Sequence, residues 1–172
     1  MTVEAVPRKT TVIVDGYNVI HGWEDLRALA ENDLEAARIR LTETLVNYAA
    51  YTRHTVIVVF DAYNVSENKE RHEERGGVHI VYTKENETGD AYIERFIHKI
   101  GKNDRVRVVT SDALIQISAL HAGVLRVPVS EFEREVEEVH AEIAQVLTEL
   151  GRSPLGSIGE IAEHKKETRS DV

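Results

Sequence analysis

The feature that most constrains this chain is a design used three times: an apolar, β-branched run that stops at an aspartate. Thr11-Val12-Ile13-Val14 ends in Asp15, and Val56-Ile57-Val58-Val59-Phe60 ends in Asp61. Val106-Arg107-Val108-Val109 passes through Thr110-Ser111 to Asp112. Runs of this kind fit strands buried on both faces, as in a parallel sheet. An unpaired carboxylate inside such a strand costs many kcal/mol, so it is tolerated only at the strand's end. In an open α/β sheet the carboxyl ends of the strands line one edge, where ligands bind. The pattern predicts a sheet that gathers Asp15, Asp61 and Asp112 along one rim.

The segments between these runs read mostly as helices. Asp33 caps a helix over 34–51, with Leu34, Ala37, Leu41, Leu45 and Tyr48 on its buried face. Thr88 caps a helix over about 89–100, with Tyr92, Ile93, Phe96, Ile97 and Ile100 inward and Gly101 as its stop. A third helix spans about 112–122 with Leu114, Ile115 and Ala119 inward. Ser130-Glu131-Phe132-Glu133 reads as a capping box opening a last helix. On that helix Phe132, Val136, Val139, Ile143, Val146 and Leu150 form a narrow apolar seam, which packs back on the domain or meets a partner. Two further strands are expected at 78–82 and 124–127. Residues 15–32 read as a long loop or short helix, and the charged stretch 66–77 as a solvated loop with some helical character, closed by Gly76-Gly77. Strands alternating with helices predict an α/β three-layer sandwich around a mainly parallel central sheet. One domain over 10–150 is expected, between an extension at 1–9 and a linker and tail at 151–172.

Composition narrows the chemistry. The chain has no cysteine, which removes disulfides and thiolate metal sites and fits a reducing cytoplasm. No signal-peptide core or membrane-length apolar run is present, so a cytoplasmic protein without membrane association is expected. A net charge of −9, from 30 acidic and 21 basic side chains, opposes tight binding to naked nucleic acid. It leaves open a nucleic-acid substrate met through metal ions, a local basic face or a larger partner.

Glu87, Asp90 and Glu94 share one face at a helix start. With Asp15, Asp61 and Asp112 they supply more carboxylates than helix capping needs. Hard oxygen donors without cysteine or well-spaced histidines point to Mg²⁺ or Mn²⁺ and to metal-assisted hydrolysis of a phosphate ester. Each acid also has a purely structural reading: Asp112 as an N-cap, Asp61 in an Asx-turn. Asn18 with Thr110 or Ser111 fits a set orienting waters or carboxylates, and Asn18 fits a turn equally well. Gly16 fits a close backbone approach after the first strand. For substrate contact the candidates are Lys69, Arg71, Arg75 and Lys84 beside the cleft, Arg38 and Arg40 on the first long helix, and Tyr17, Trp23 and Tyr63 for stacking on bases. The plain alternative for these is solvated charge and a packed Trp23. There is no Walker-type loop, dinucleotide fingerprint or nucleophile elbow.

Val14-Asp15-Gly16-Tyr17-Asn18-Val19-Ile20, Asp33-Leu34-Glu35-Ala36-Ala37-Arg38, Val56-Ile57-Val58-Val59-Phe60-Asp61-Ala62, Thr83-Lys84-Glu85-Asn86-Glu87-Thr88-Gly89-Asp90 and Thr110-Ser111-Asp112 together resemble the YacP-like branch of the NYN domains. These are relatives of the PIN-domain nucleases, and the likeness runs in order from about residue 10 to 147. The resemblance implies a PIN-like fold and a divalent-metal-dependent endoribonuclease that cuts messenger RNA in association with the ribosome. Asp15, Asp90 and Asp112 match the acidic, metal-holding positions, with Asp61 and Glu87 in support. The chain departs from the family's usual form in its longer N-terminus and C-terminal tail. It departs also at Gly89, where Ala is common, and glycine there predicts a looser helix start around Asp90. Two other classes compete: a non-catalytic RNA- or ribosome-binding module of the same fold, and a small-molecule phosphatase or nucleotide hydrolase. The second would ordinarily show Asp-x-Asp after the first strand, where this chain has Asp15-Gly16-Tyr17.

Overall fold

The computed structural model describes residues 9–62, 70–100 and 105–151. Along the chain these are β1 (Thr10–Asp15), α1 (Gly16–Gly22), α2 (Glu24–Ala30), α3 (Leu34–Thr52), β2 (Thr55–Phe60), β3 (Arg71–Arg75), β4 (Val78–Tyr82), α4 (Gly89–Lys99), β5 (Arg105–Val109), α5 (Ala113–His121), β6 (Leu125–Val127) and α6 (Val129–Gly151). Among the described residues the strands form one sheet in the order β3-β4-β2-β1-β5-β6. All neighbours pair in parallel except β3, which runs antiparallel to β4. The three Asp-ending runs are the three central strands, so the sheet does gather their ends on one edge.

Strand alternation sends side chains to two cores. Val12, Val14, Val56, Val58 and Phe60 pack with Leu26, Leu41, Leu45, Tyr48, Phe132 and Val136, from α2, α3 and α6. On the other face Ile13, Val59, Val81 and Val108 meet Ile93 and Ile97 of α4 and Ile115 and Ala119 of α5. The molecule is therefore the expected three-layer α/β sandwich, with helices on both sides of a mainly parallel sheet.

Several expectations need correction. The segment 71–75 is an edge strand rather than a loop of helical character. All five of its residues are exposed, so no apolar period marks it. Gly76 and Gly77, at φ +56° and +81°, make the two-residue turn that folds it back on β4, a pairing of positive φ angles that suits a tight hairpin. Residues 15–32 hold two helices, α1 and α2. Leu34 is partly exposed and Leu114 is 72% exposed, so Ile115 and Ala119 alone carry the buried face of α5. Phe96 and Ile100 are only partly buried. Gly101, the expected stop of α4, lies outside the described residues. The last helix starts one residue before its expected capping box, where the Pro128 carbonyl accepts the Phe132 N–H at 3.0 Å. Its seam divides: Phe132, Val136 and Val139 are buried, whereas Val146 and Leu150 are exposed beyond the domain's edge.

Candidate active site

At the carboxyl edge of the sheet, the ends of β1, β2 and β5 face the N-termini of α1, α4 and α5. Asp15 leaves β1 and is the N-cap of α1, accepting the Asn18 N–H at 3.4 Å. It is 6% exposed. Its second oxygen accepts the Thr110 hydroxyl at 3.2 Å. Gly16 permits this tight exit, since a Cβ there would lie 2.9 Å from the Val59 carbonyl and collide with the Phe60 ring. Asn18 then joins β1 to β5: its Oδ1 accepts the Ser111 N–H at 2.9 Å, the Ser111 hydroxyl, and the Thr110 hydroxyl at 3.4 Å. Asn18, Thr110 and Ser111 thus form one hydrogen-bonded set beside Asp15.

Asp61 leaves β2, and its Oδ1 accepts the Gly89 N–H, the first amide of α4. A Cβ at this position would stand 2.6 Å from that oxygen, so a side chain there would shift the Asp61 carboxylate. Asp61 thus holds the helix start at Gly89 through its first amide. Ala62, next to Asp61, is held by Thr83, which is fully buried and accepts the Ala62 N–H at 3.3 Å while donating its own N–H to the Phe60 carbonyl at 3.0 Å. Thr83 carries no signal in the sequence beyond its place in a motif. Asp112 takes its structural reading, with Oδ1 accepting the Leu114 and Ile115 N–H groups at 2.8 and 3.1 Å as the N-cap of α5.

Asp90 projects from the first turn of α4 and completes the group. Burial pushes the Asp15 carboxyl up to about 7, with Asp90 and Asp61 adding repulsion, against the hydrogen bonds from Asn18 and Thr110. Asp90 is raised as well, by desolvation first and then by Asp112 and Asp61, while a hydrogen bond with Asp15 acts the other way. No arginine or lysine pairs with Asp15, Asp61, Asp90 or Asp112 among the described residues. An all-oxygen donor set with unneutralised charge has the chemistry of a hard divalent cation's site. No three of these groups yet stand in ligating geometry among the described residues.

Other candidates are drawn elsewhere. Glu87 is held by Arg95 at 3.0 Å, and Arg95 also holds Glu70 at 2.8 Å. Glu94 accepts the Ser118 hydroxyl at 2.6 Å across the α4–α5 contact. Tyr17, beside Asp15, accepts a hydrogen bond from Arg38 at 2.8 Å and packs edge-on against Phe60. Arg38 thus sits against Tyr17, while Arg40 is exposed two residues on. Lys84 is exposed in the loop after β4. Arg71 lies over the Tyr82 ring at 4.1 Å and Arg75 sits at the hairpin. Trp23 is buried and donates its indole N–H to the Val129 carbonyl at 3.2 Å, which removes it as a stacking platform. Tyr63 and Lys69 lie outside the described residues.

A family model described as the YacP-like NYN domain matches residues 12–169. YacP of Bacillus subtilis (strain 168) is 36% identical over 149 residues, covering 86% of this chain and 87% of that protein. The crystal structure of Rae1 (YacP) from Bacillus subtilis superposes with a TM-score of 0.73 at 34% identity, covering 92% of this chain and 91% of that one. The crystal structure of a mutant of that same protein gives a TM-score of 0.71 at 33% identity, over 84% of this chain and 86% of that one.

Proposed function

Since this chain belongs to the YacP-like NYN domain family and has its PIN-like nuclease fold, we propose that it is a divalent-metal-dependent endoribonuclease that cuts messenger RNA in association with the ribosome. The observation that carries this reading is the cluster of Asp15, Asp90, Asp61 and Asp112, gathered on one sheet edge with no basic partner among the described residues and with Asp15 raised to about 7. Buried charge left uncompensated by the protein is what a site completed by a cation requires.

In this reading Asp15, Asp90 and Asp112 hold Mg²⁺ or Mn²⁺. The ion, when bound, supplies activation of water near neutral pH and neutralises charge on the phosphoryl oxygens. Asp15 gives up its proton to act as a ligand, and Thr110 and Asn18 hold its carboxylate in one orientation. Asp61 fixes the first amide of α4 and so aims Asp90. Asp112 keeps one oxygen on α5 and has the other for the site. Tyr17, with Arg38 hydrogen-bonded to it, and Lys84 are the groups proposed to meet the RNA backbone or a base. A ribosome partner reconciles an acidic protein with an RNA substrate by supplying much of the binding.

The second reading, a binding module without turnover, is favoured by the caps that Asp61 and Asp112 make and by the lack of a ready ligand triad among the described residues. Cleavage of a translated messenger RNA, with and without ribosomes, in Mg²⁺ or Mn²⁺, separates the two. Cuts lost in Asp15→Asn support the nuclease. Equal cutting by both proteins refutes this site, and ribosome binding with no cutting in any metal establishes the module.

A further inference from the structure

At the opposite end of the sheet, a second concavity of about 420 Å³ opens between the C-terminus of α3 and the β3–β4 hairpin. That is a volume in the range of small-ligand sites. Lys9, Arg53, His54 and His79 line it, with Glu74 as its one acidic side chain. In a chain of net charge −9 this is a local reversal of sign. Among the described residues Lys9, Arg53 and His79 make no ion pair, so their charge and donors face the cleft unspent.

A second observation concerns Arg53. It closes α3 in the left-handed conformation, at φ +58°, the one non-glycine residue among those described with positive φ. Helices ordinarily place Gly or Asn there, because a side chain is strained in that region. The fold thus holds a long cationic side chain at a position where glycine would suit the backbone better, and that side chain lines the cleft. Backbone strain kept in this way is a mark of functional positions.

We infer that this cleft is a phosphate-binding subsite that grips an RNA strand at a distance from the carboxylate edge. The inference rests on the RNA-directed reading above. Lys9 immediately precedes β1 and Asp15 ends it, so cleft and carboxylates are separated by one six-residue strand, roughly 20 Å. A mononucleotide cannot touch both, whereas a strand of several nucleotides can. The exposed edge strand β3 spans the same distance: Arg71 pairs with Tyr82 at the carboxylate end, and Arg75 with Val78 at the cleft end. Lys9 and Arg53 supply charge and donors to phosphate oxygens, Arg53 as a planar fork, and the two histidines add ring N–H donors.

The test is binding of a short labelled oligouridylate to the full chain in chelator, where no metal ion bridges RNA to the carboxylates. Arg53→Gly and Lys9→Ala should each weaken binding about fivefold or more, while Arg126→Ala on the far edge, which removes the same charge, should not. Arg53→Gly should melt no lower than wild type, since glycine accepts the backbone there. In cleavage assays the cleft variants should raise KM and spare kcat. Wild-type affinity in both cleft variants, or an equal loss in Arg126→Ala, overturns the subsite. Inorganic phosphate that titrates the His54 and His79 signals while oligouridylate does not bind would make this a free-anion site and also overturn it. Loss of cutting in Asp15→Asn is read independently, so failure of the nuclease reading and failure of the cleft are distinguishable.

Discussion

Two polar clusters in this molecule handle charge in opposite ways. On one face of the sheet Arg107 of β5 meets Glu135 of α6 through two hydrogen bonds of 2.8 and 2.5 Å, and the Tyr48 hydroxyl donates to the same carboxylate at 2.5 Å. The Arg107 guanidinium, first by its hydrogen bond, holds Glu135 below the usual carboxylate range. Each charge there has its complement, and the network pins α6 to the sheet and to α3. At the carboxylate edge, Asp15 and Asp90 are both pushed up, and no cation among the described residues answers them. The first cluster answers its charges, although the buried Arg107 Nε has no hydrogen-bond partner among the described residues. The second leaves acids crowded together without a basic partner among the described residues, and under the proposed function a cation would answer them.

The sharpest way to break the comparison is Asp15→Asn. Loss of RNA cleavage on the order of 10³-fold, or about 4 kcal/mol of transition-state stabilisation, is expected, with the fold retained by circular dichroism. Stability should move the other way. Folded Asp15 binds its proton with a pKa of about 7, against an ordinary 3.8, so the metal-free protein loses stability as pH rises between those values and levels off above them. Urea titrations in chelator should show Asp15→Asn more stable than wild type by about 3 kcal/mol at pH 8, the gap closing towards pH 4. Divalent metal should close the gap at pH 8 by stabilising only the wild type.

The matching test of the compensated cluster is Glu135→Ala. It leaves Arg107 largely buried without its carboxylate, and should cost about 2 kcal/mol in denaturant unfolding with little change in cleavage per folded molecule. Thr110→Val removes the hydroxyl that orients Asp15 and should lower metal affinity by roughly tenfold, measured by calorimetry. The smallest effect is expected from Gly89→Ala. The new methyl displaces the Asp61 carboxylate, and cleavage should fall by about threefold, or about 0.7 kcal/mol, with stability nearly unchanged because alanine favours the helix.

The central strands, α3, α4 and the gathering of Asp15, Asp61 and Asp112 were legible because apolar periodicity and strand-end carboxylates are local signals. β3 was not, since Arg-His-Glu-Glu-Arg is an edge strand whose partner is read only from Gly76-Gly77 as a hairpin turn. Glu87 looked like a member of the acidic site from its place near Asp90. Its partner Arg95 is eight residues on, and a long side chain reaching back over a helix start leaves no spacing rule to find it. Leu114 fits the apolar stripe of α5 but falls on the open side, because Asp112 as N-cap fixes the rotation of that helix. The basic cleft joins Lys9, the end of α3 and a hairpin, three places that only topology brings together.

The strand order also sets a timetable. β1 is made first, yet its neighbours in the sheet are β2 and β5, and the hydroxyl that steadies Asp15 lies 95 residues further on. A chain growing from its N-terminus therefore carries its principal acid long before the groups that shape its surroundings exist. The carboxylate edge needs β5 beside β1, so it cannot be complete before residue 112 is made. A chain truncated before residue 110 lacks Thr110, Ser111 and Asp112 and cannot assemble the cluster, however well its earlier elements had formed.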